Sequence, residues 1–215
     1  MMNPGDNGSM STPRAGYSAI SSFSRVEILA LVQSRPERTI AELTEATGLH
    51  ANTVREHLQR LIEGGYVIQA TEHRTTRGRP RTLYSAATGD DDASSPIARR
   101  KVRDAADRGD IMRRVMPWTG DSVESIGRPA THQLDAIVDH LTESGFDPIV
   151  DDTQLTIDLS PCPHATSQAE HRQTLCTVHL GIMQAVLTEA GGPLQPSCIR
   201  SSDRPADCVV ELSIA

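Results

Sequence analysis

Four cysteines in the last quarter of the chain have the residue type and grouping of a metal-binding site. They are Cys162, Cys176, Cys198 and Cys208, and thiolates are preferred ligands of zinc and of iron–sulfur clusters. The N-terminal segment has neither the basic start nor the apolar core of a secretory signal, so the group favours a metal site over disulfides. The intervals of 13, 21 and nine residues contain no Cys-x-x-Cys pair, so the spacing does not identify the metal.

Two histidines accompany these cysteines and leave other chemistries open. His164 follows Cys162 by two residues, and His179 lies one helical turn after Cys176. Two cysteines and two histidines would complete a tetrahedral zinc site. Alternatively, Cys176 is a nucleophilic thiol whose pKa His179 lowers, as in a thiol redox protein, or the cysteines are buried as small hydrophobic residues. The chain has no Gly-rich phosphate loop, no H-E-x-x-H and no nucleophile elbow, so we expect it not to be an enzyme.

The elements that must position the cysteines alternate between helices and strands. Apolar residues recur at helical spacing in two segments, and strict alternation in L-T-I-D-L predicts a strand. The resulting order, α-β-β-α-β-β, predicts a small α+β domain with a helix on an antiparallel sheet. The predicted elements are helices 131–144 and 168–190 and strands 147–150, 155–159, 198–200 and 208–214.

A second stretch, residues 39–84, has the pattern of a winged helix-turn-helix. Thr39 and Glu42 form a capping box at the start of one helix, and Gly48 can end it in the left-handed conformation. A second helix over residues 51–63 carries an apolar stripe and ends at two glycines. The polar face of that helix is suited to reading base edges in a major groove, and its predicted DNA-binding residues are Asn52, Thr53, Arg55, Glu56, Gln59 and Arg60.

A basic hairpin follows that helix and completes the motif. Two strand-like runs flank H-R-T-T-R-G-R-P-R, in which glycine and proline disfavour a helix. Guanidinium groups in such a loop can bind phosphates or enter a narrow minor groove. An exposed charged loop is otherwise ordinary, but its position behind a helix-turn-helix favours DNA contact. The predicted contacts on this wing are Arg74, Arg77, Arg79 and Arg81.

The remaining segments are predicted to connect or to support these two regions. Residues 1–22 have the composition of a disordered tail, and residues 23–86 form the DNA-binding domain. A first helix over residues 24–33 is predicted to begin with a Ser24–Glu27 capping box. Residues 87–128 are a linker containing a charged helix, 97–116, that either packs across a dimer or lies in solvent. Residues 129–215 form the cysteine-containing domain.

Charge is distributed unevenly between the two predicted domains. Residues 25–86 have a net charge of +2 and residues 87–215 a net charge of −9, within a total of −7. An acidic chain whose wing carries a cluster of cations indicates focused docking on nucleic acid, whereas the acidic remainder disfavours non-specific binding. Aromatic residues are only 3% of the chain, which argues against single-strand binding by stacking. No apolar run is long enough for a membrane span, so we expect a cytoplasmic protein.

The motifs together resemble a known group of regulators. A winged helix ending in G-R-P-R-x-L-Y, then G-F-D-P, C-P-H, an L-C-x-x-H helix and a final C-V-V-E-L strand, is similar to ArsR-like regulators that include SufR. SufR-type proteins are dimeric repressors of iron–sulfur cluster assembly operons, and they bind a cluster through C-terminal cysteines. The resemblance implies a double-stranded DNA operator, a homodimer, and a 4Fe-4S or 2Fe-2S cluster. It implies ligation by Cys162, Cys176 and Cys208, with Cys198 as a further candidate.

Overall fold

The N-terminal part of the chain folds as the predicted winged helix-turn-helix. The computed structural model describes residues 22–73, 80–116, 126–162, 164–165, 167–201 and 206–214. Strands β1 and β2 pair antiparallel with Gln69 opposite Tyr84. Arg38 and Tyr84 exchange backbone hydrogen bonds of 2.9 and 2.8 Å, which tie the start of the motif to its wing. The elements are α1 Phe23–Ser34, α2 Ile40–Thr47, α3 Ala51–Gly64, β1 Val67–Thr71 and β2 Thr82–Ala86.

Local capping signals set most of these helix ends. The Thr39–Glu42 capping box is confirmed, because each side chain accepts a hydrogen bond from the other residue's backbone N–H. Gly48 ends α2 with φ 68°, in the left-handed region that glycine adopts without strain. The predicted Ser24–Glu27 box is wrong: α1 begins one residue earlier, at Phe23, and its N-cap, Ser22, makes no side-chain cap.

The C-terminal part has the predicted α+β architecture. Helices α4 Pro96–Val115 and α5 Arg128–Glu143 precede strands β3 Ile149–Asp151 and β4 Thr156–Asp158. Helix α6 Ala169–Ala190 is followed by β5 Leu194–Ser201 and β6 Cys208–Ile214. All pairs in this sheet are antiparallel, in the order β3-β4-β6-β5. Strand β5 begins four residues before its predicted start because Leu194 already pairs with Ile214 of β6.

Helix α6 joins the two parts by contributing to both hydrophobic cores. Val178 and Ile182 are buried with α1, α2 and α3 in the core of the winged domain. Met183 and Leu187 are fully buried with α5 and the sheet in the second core. The DNA-binding domain therefore does not bury its apolar surface alone, and α6 is a structural part of it.

The charged helix α4 packs along α5 within the same chain. Its contacts are largely ionic: Lys101 lies 2.9 Å from Glu143, and Arg113 lies 2.7 Å from Asp135. Ala105 is the one residue of α4 that is buried. Apolar side chains near its C-terminal end remain exposed, namely Ile111 at 51%, Met112 at 51% and Val115 at 68%. The helix is thus neither fully solvated nor covered along its whole length.

Candidate nucleic-acid interface and cysteine centre

Helix α3 presents the polar face that the sequence analysis assigned to DNA. Val54, Leu58 and Leu61 are buried against the domain core, which turns the opposite face outward. The outer side chains bond one another: Arg55 Nη1 donates to Asn52 Oδ1 at 2.9 Å. Such exposed contacts contribute little to stability and can be exchanged for contacts to bases. Of the predicted set, Asn52, Arg55, Glu56, Gln59 and Arg60 are exposed and Thr53 is half-buried.

The structure locates one of the four wing arginines. Arg81 is exposed just before β2, and its carbonyl accepts a 2.9 Å hydrogen bond from the Glu72 N–H. This bond extends the β1–β2 ladder by one step towards the tip. Arg74, Arg77 and Arg79 lie outside the described residues.

Three of the four cysteines line one cavity in the C-terminal domain. Cys162 lies in the loop after β4, Cys176 on α6 and Cys208 at the first position of β6. The Cys162 N–H donates a 2.7 Å hydrogen bond to the Ala206 carbonyl, which places the loop beside the start of β6. Strand pairing, a loop contact and helix packing therefore bring together residues that are far apart in sequence.

The cysteine thiols differ in acidity because of their mutual contacts. The Cys208 thiol donates a hydrogen bond to Cys162, which lowers the pKa of Cys162 and raises the pKa of Cys208. Burial, followed by the nearby charge of Cys162, raises the pKa of Cys176. A nucleophilic cysteine requires a lowered pKa, so the environment of Cys176 does not favour the thiol redox alternative.

The two predicted histidines also line this cavity, with Phe146 between them. The His179 ring stacks on Phe146 with centroids 4.8 Å apart, and His164 meets Phe146 edge-on at 6.2 Å. Burial lowers the pKa of His179 to about 3, so its imidazole is neutral near pH 7. Its Nε2 is buried with no hydrogen-bond partner among the described residues. A neutral imidazole with an unused nitrogen is a competent metal ligand.

Cys198 lies apart from the other three cysteines. It is exposed on β5, and its thiol donates a 3.3 Å hydrogen bond to Glu211 Oε2 on β6. Its neighbour Ile199 lines the cysteine cavity instead, because successive side chains of a strand point to opposite faces. Cys198, a candidate ligand from the sequence, therefore does not lie in the cavity that contains the other three cysteines.

The cavity supplies three thiols, a soft donor type that iron–sulfur clusters and zinc both bind. Thiolates are soft ligands of such clusters. A single zinc ion needs four donors at roughly 2.0–2.3 Å, and the described residues include no group of three His, Cys, Asp or Glu side chains that could hold a metal ion as they stand. A cluster distributes its protein ligands over several metal atoms, which suits thiols on separate elements. Cys162, Cys176 and Cys208 are the residues that would hold it.

Two neighbours of the centre were not predicted. Phe146 lies between the two histidines. The positive charge of Arg172 on α6 lowers the pKa of Cys162, and it partly offsets the increase that burial causes in the pKa of Cys176. The G-F-D-P segment containing Phe146 was a sequence signal, but it did not indicate a contact with His179. Arg172 lies one turn before Cys176, a helical spacing that could have suggested the contact.

The comparison with known families supports the assignment of the N-terminal region. Residues 24–68 match the family described as winged helix-turn-helix DNA-binding. A search of curated proteins finds no match to this sequence. Among the described residues, no helix is both long and apolar enough to cross a lipid bilayer. The matched segment covers α2, α3 and all of α1 except its first residue, so this part of the chain is similar to winged helix-turn-helix DNA-binding domains.

Proposed function

We propose that this protein is a dimeric, sequence-specific transcription repressor whose C-terminal domain binds an iron–sulfur cluster that controls its affinity for DNA. The observation that carries the proposal is the dual role of α6, which bears Cys176 and also places Val178 and Ile182 in the core of the winged domain. The resemblance to SufR-type regulators extends the proposal to operators of iron–sulfur cluster assembly genes.

Contacts between α6 and α1 supply a physical route from the cysteines to DNA. Gln33 Nε2 of α1 donates a 3.3 Å hydrogen bond to the Val178 carbonyl. A Cβ at Gly181 would lie 2.7 Å from that Gln33 nitrogen, so the two helices approach closely there. Phe23 at the start of α1 stacks on His171 of α6, with centroids 3.9 Å apart. A movement of α6 would therefore also move α1 and, through α1, the helix-turn-helix.

The three cysteine ligands would fix α6 relative to the sheet. Cys162 and Cys208 belong to the sheet side of the cavity and Cys176 to the helix side. Ligation of all three restrains the distance between these elements, and loss of any one ligand releases it. When bound, the cluster would supply sensitivity to oxidants, iron and sulfide. The change in DNA affinity can be no larger than the difference in ligation free energy between the DNA-binding conformation and the other conformations of the protein.

The exposed apolar end of α4 supports a homodimer. Ile111, Met112 and Val115 are spaced so that they share one helical surface, and a dimer would place two winged domains on two half-sites of a palindromic operator. Val115→Gln should weaken association, measured by sedimentation velocity. The control Arg103→Gln introduces the same side chain at another exposed position of α4 and should leave association unchanged. Equal behaviour of the two variants would contradict this interface.

The cofactor is tested by anaerobic purification with iron, sulfide and zinc analysis. Cys162→Ser, Cys176→Ser and Cys208→Ser should each lose iron, sulfide and the visible charge-transfer absorption that thiolate-ligated clusters produce. Cys198→Ser is the matched control, because its thiol lies outside the cavity, and it should retain all three. A colourless protein with bound zinc, or equal losses in all four variants, would refute the cluster.

The coupling is tested with an operator selected from a random duplex pool. Cluster-loaded and cluster-free protein, compared anaerobically at one salt concentration, should differ in operator affinity by roughly five- to 150-fold, the usual range of allosteric coupling. The Cys162→Ser variant should bind like the cluster-free protein under both conditions. Identical affinities of loaded and cluster-free wild type would remove the regulatory role from the cysteines while leaving DNA binding itself intact.

A further inference from the structure

A pocket lies at the junction of the winged domain and the C-terminal domain, next to the cysteine cavity. Its walls come from α1, from the α3–β1 connection, and from α4, α5 and α6. Leu29 and Tyr66 line the pocket from the winged domain, whereas His140 and Ile182 line it from helices α5 and α6. No cysteine lines it, although Ile182 lines both this pocket and the cysteine cavity.

Small residues create the space at this junction. Seven of the lining residues are glycine or alanine, among them Gly65, Ala98, Ala136 and Ala185. The surrounding contacts are close: a Cβ at Gly65 would lie 3.1 Å from the Ala98 nitrogen, and one at Gly89 would lie 2.5 Å from the Ala185 carbonyl oxygen. The domains are therefore in firm contact around the pocket, while the pocket itself is not filled by side chains.

Two buried polar groups in this pocket lack a partner. His140 and Tyr66 are each only 8% exposed, and their rings meet edge-to-face with centroids 6.1 Å apart. Neither the His140 Nε2 nor the Tyr66 hydroxyl has a hydrogen-bond partner among the described residues. The Tyr66 hydroxyl lies near the Ser144 hydroxyl, but without hydrogen-bonding geometry. Buried polar groups are ordinarily paired, so this pair is suited to a bound molecule.

Charged residues that line the pocket select against ions. Asp139, Glu143 and Glu189 line the pocket together with a single cation, Lys101. Each acid is already paired, because Arg108, Lys101 and Arg99 respectively lie 2.7, 2.9 and 3.4 Å away. An anion would face three carboxylates, and a cation would leave water for an interior of Leu29, Ile182 and Val186. The pocket is therefore matched to an uncharged molecule.

We infer that this pocket binds a small, uncharged, largely apolar molecule with one group that can both donate and accept a hydrogen bond. The enclosed cavity is small, about 50 Å³, and opens to solvent, which limits its enclosed end to a few heavy atoms. The polar group of the ligand bonds His140 Nε2 and the Tyr66 hydroxyl, and its apolar part lies along Leu29 and Ile182. A single-ring molecule meets these requirements if its polar group lies in the enclosed end and the rest of its ring lies towards the open side.

A molecule bound in this pocket would contact the C-terminal end of the DNA-reading helix α3 directly. Gly64 is the last residue of α3, and Gly65 is its left-handed cap with φ 85°; both line the pocket. A ligand held between this cap and α5 or α6 contacts the DNA-binding domain and the C-terminal domain simultaneously. The site thus constitutes a second input beside the cysteine cavity, with which it shares Ile182.

The test measures phenol binding to the full chain by NMR with ring-labelled histidine. Phenol should shift the His140 ring signals with a dissociation constant on the order of 1 mM, a strength ordinary for a ligand this small. Toluene lacks the hydroxyl and should bind at least about tenfold more weakly, since it leaves the two polar groups unpaired. Benzoate should not bind. All measurements use cluster-free protein, so the outcome does not depend on whether the proposed cluster binds.

Variants locate the site. Ala98→Leu fills the pocket and should weaken phenol binding at least about tenfold, while Ala106→Leu, on the same helix but not lining the pocket, should not. If Ala98→Leu fails to fold, His140→Phe decides: phenol and toluene should then bind alike. Absence of a phenol-induced shift at His140 in wild type, equal binding of phenol and toluene, or unchanged binding in Ala98→Leu would each overturn the inference.

Discussion

Acidification should destabilise the fold through His140, and the size of the effect follows from its burial. Burial and the nearby Lys101 lower the pKa of His140 to about 4, from an ordinary value of 6.5. Between these values the unfolded chain binds a proton that the folded protein excludes, so stability falls as the pH decreases. This shift contributes about 3 kcal/mol to the free energy of unfolding, at 1.36 kcal/mol per pKa unit. The contribution is fully present above about pH 6.5 and is lost by about pH 4.

Urea unfolding of the cluster-free protein at pH 7.5 and pH 5 measures this contribution. Over that interval His140 should account for about 2 kcal/mol of the decrease in unfolding free energy, because only the part between about pH 6.5 and 5 is sampled. His140→Gln keeps a polar side chain that does not titrate, and its pH-dependent decrease should be smaller by that amount. His179, whose pKa burial also lowers, acts in both proteins and cancels. Identical pH dependence in both proteins would refute the reasoning.

Three further predictions concern the DNA-binding domain. Ile182→Ala should lower the free energy of unfolding by about 2–5 kcal/mol, and the two domains should unfold together in urea. Thr177→Ala, at an exposed position of the same helix, should have little effect. Separate unfolding transitions of the two domains would contradict the shared core. Thr39→Ala should cost about 1 kcal/mol by removing the α2 cap, and Thr39→Ser should restore it. Arg55→Ala and Gln59→Ala should each relax base preference by about 1–3 kcal/mol in competition binding; equal losses on specific and random DNA would argue against base reading.

Local signals in the sequence were sufficient for the winged helix-turn-helix. The Thr39–Glu42 capping box, the glycine at position 48 and the apolar stripe of α3 each act within a few residues, and each has the predicted structure. The order of helices and strands in the C-terminal domain was predictable for the same reason. The ends of strands that depend on a pairing strand were not predictable from the sequence. Strand β5, for example, begins at Leu194 because β6 pairs with it there.

Only the tertiary structure decided which residues share a site. Strand alternation turns Cys198 outward, whereas loop, helix and strand packing bring Cys162, Cys176 and Cys208 to one cavity. The sequence also divided the chain at an acidic linker, yet α6 packs into the core on both sides of that division. Composition and periodicity describe which face of an element is apolar, but the partner of that face depends on contacts between distant segments, which only the folded chain determines.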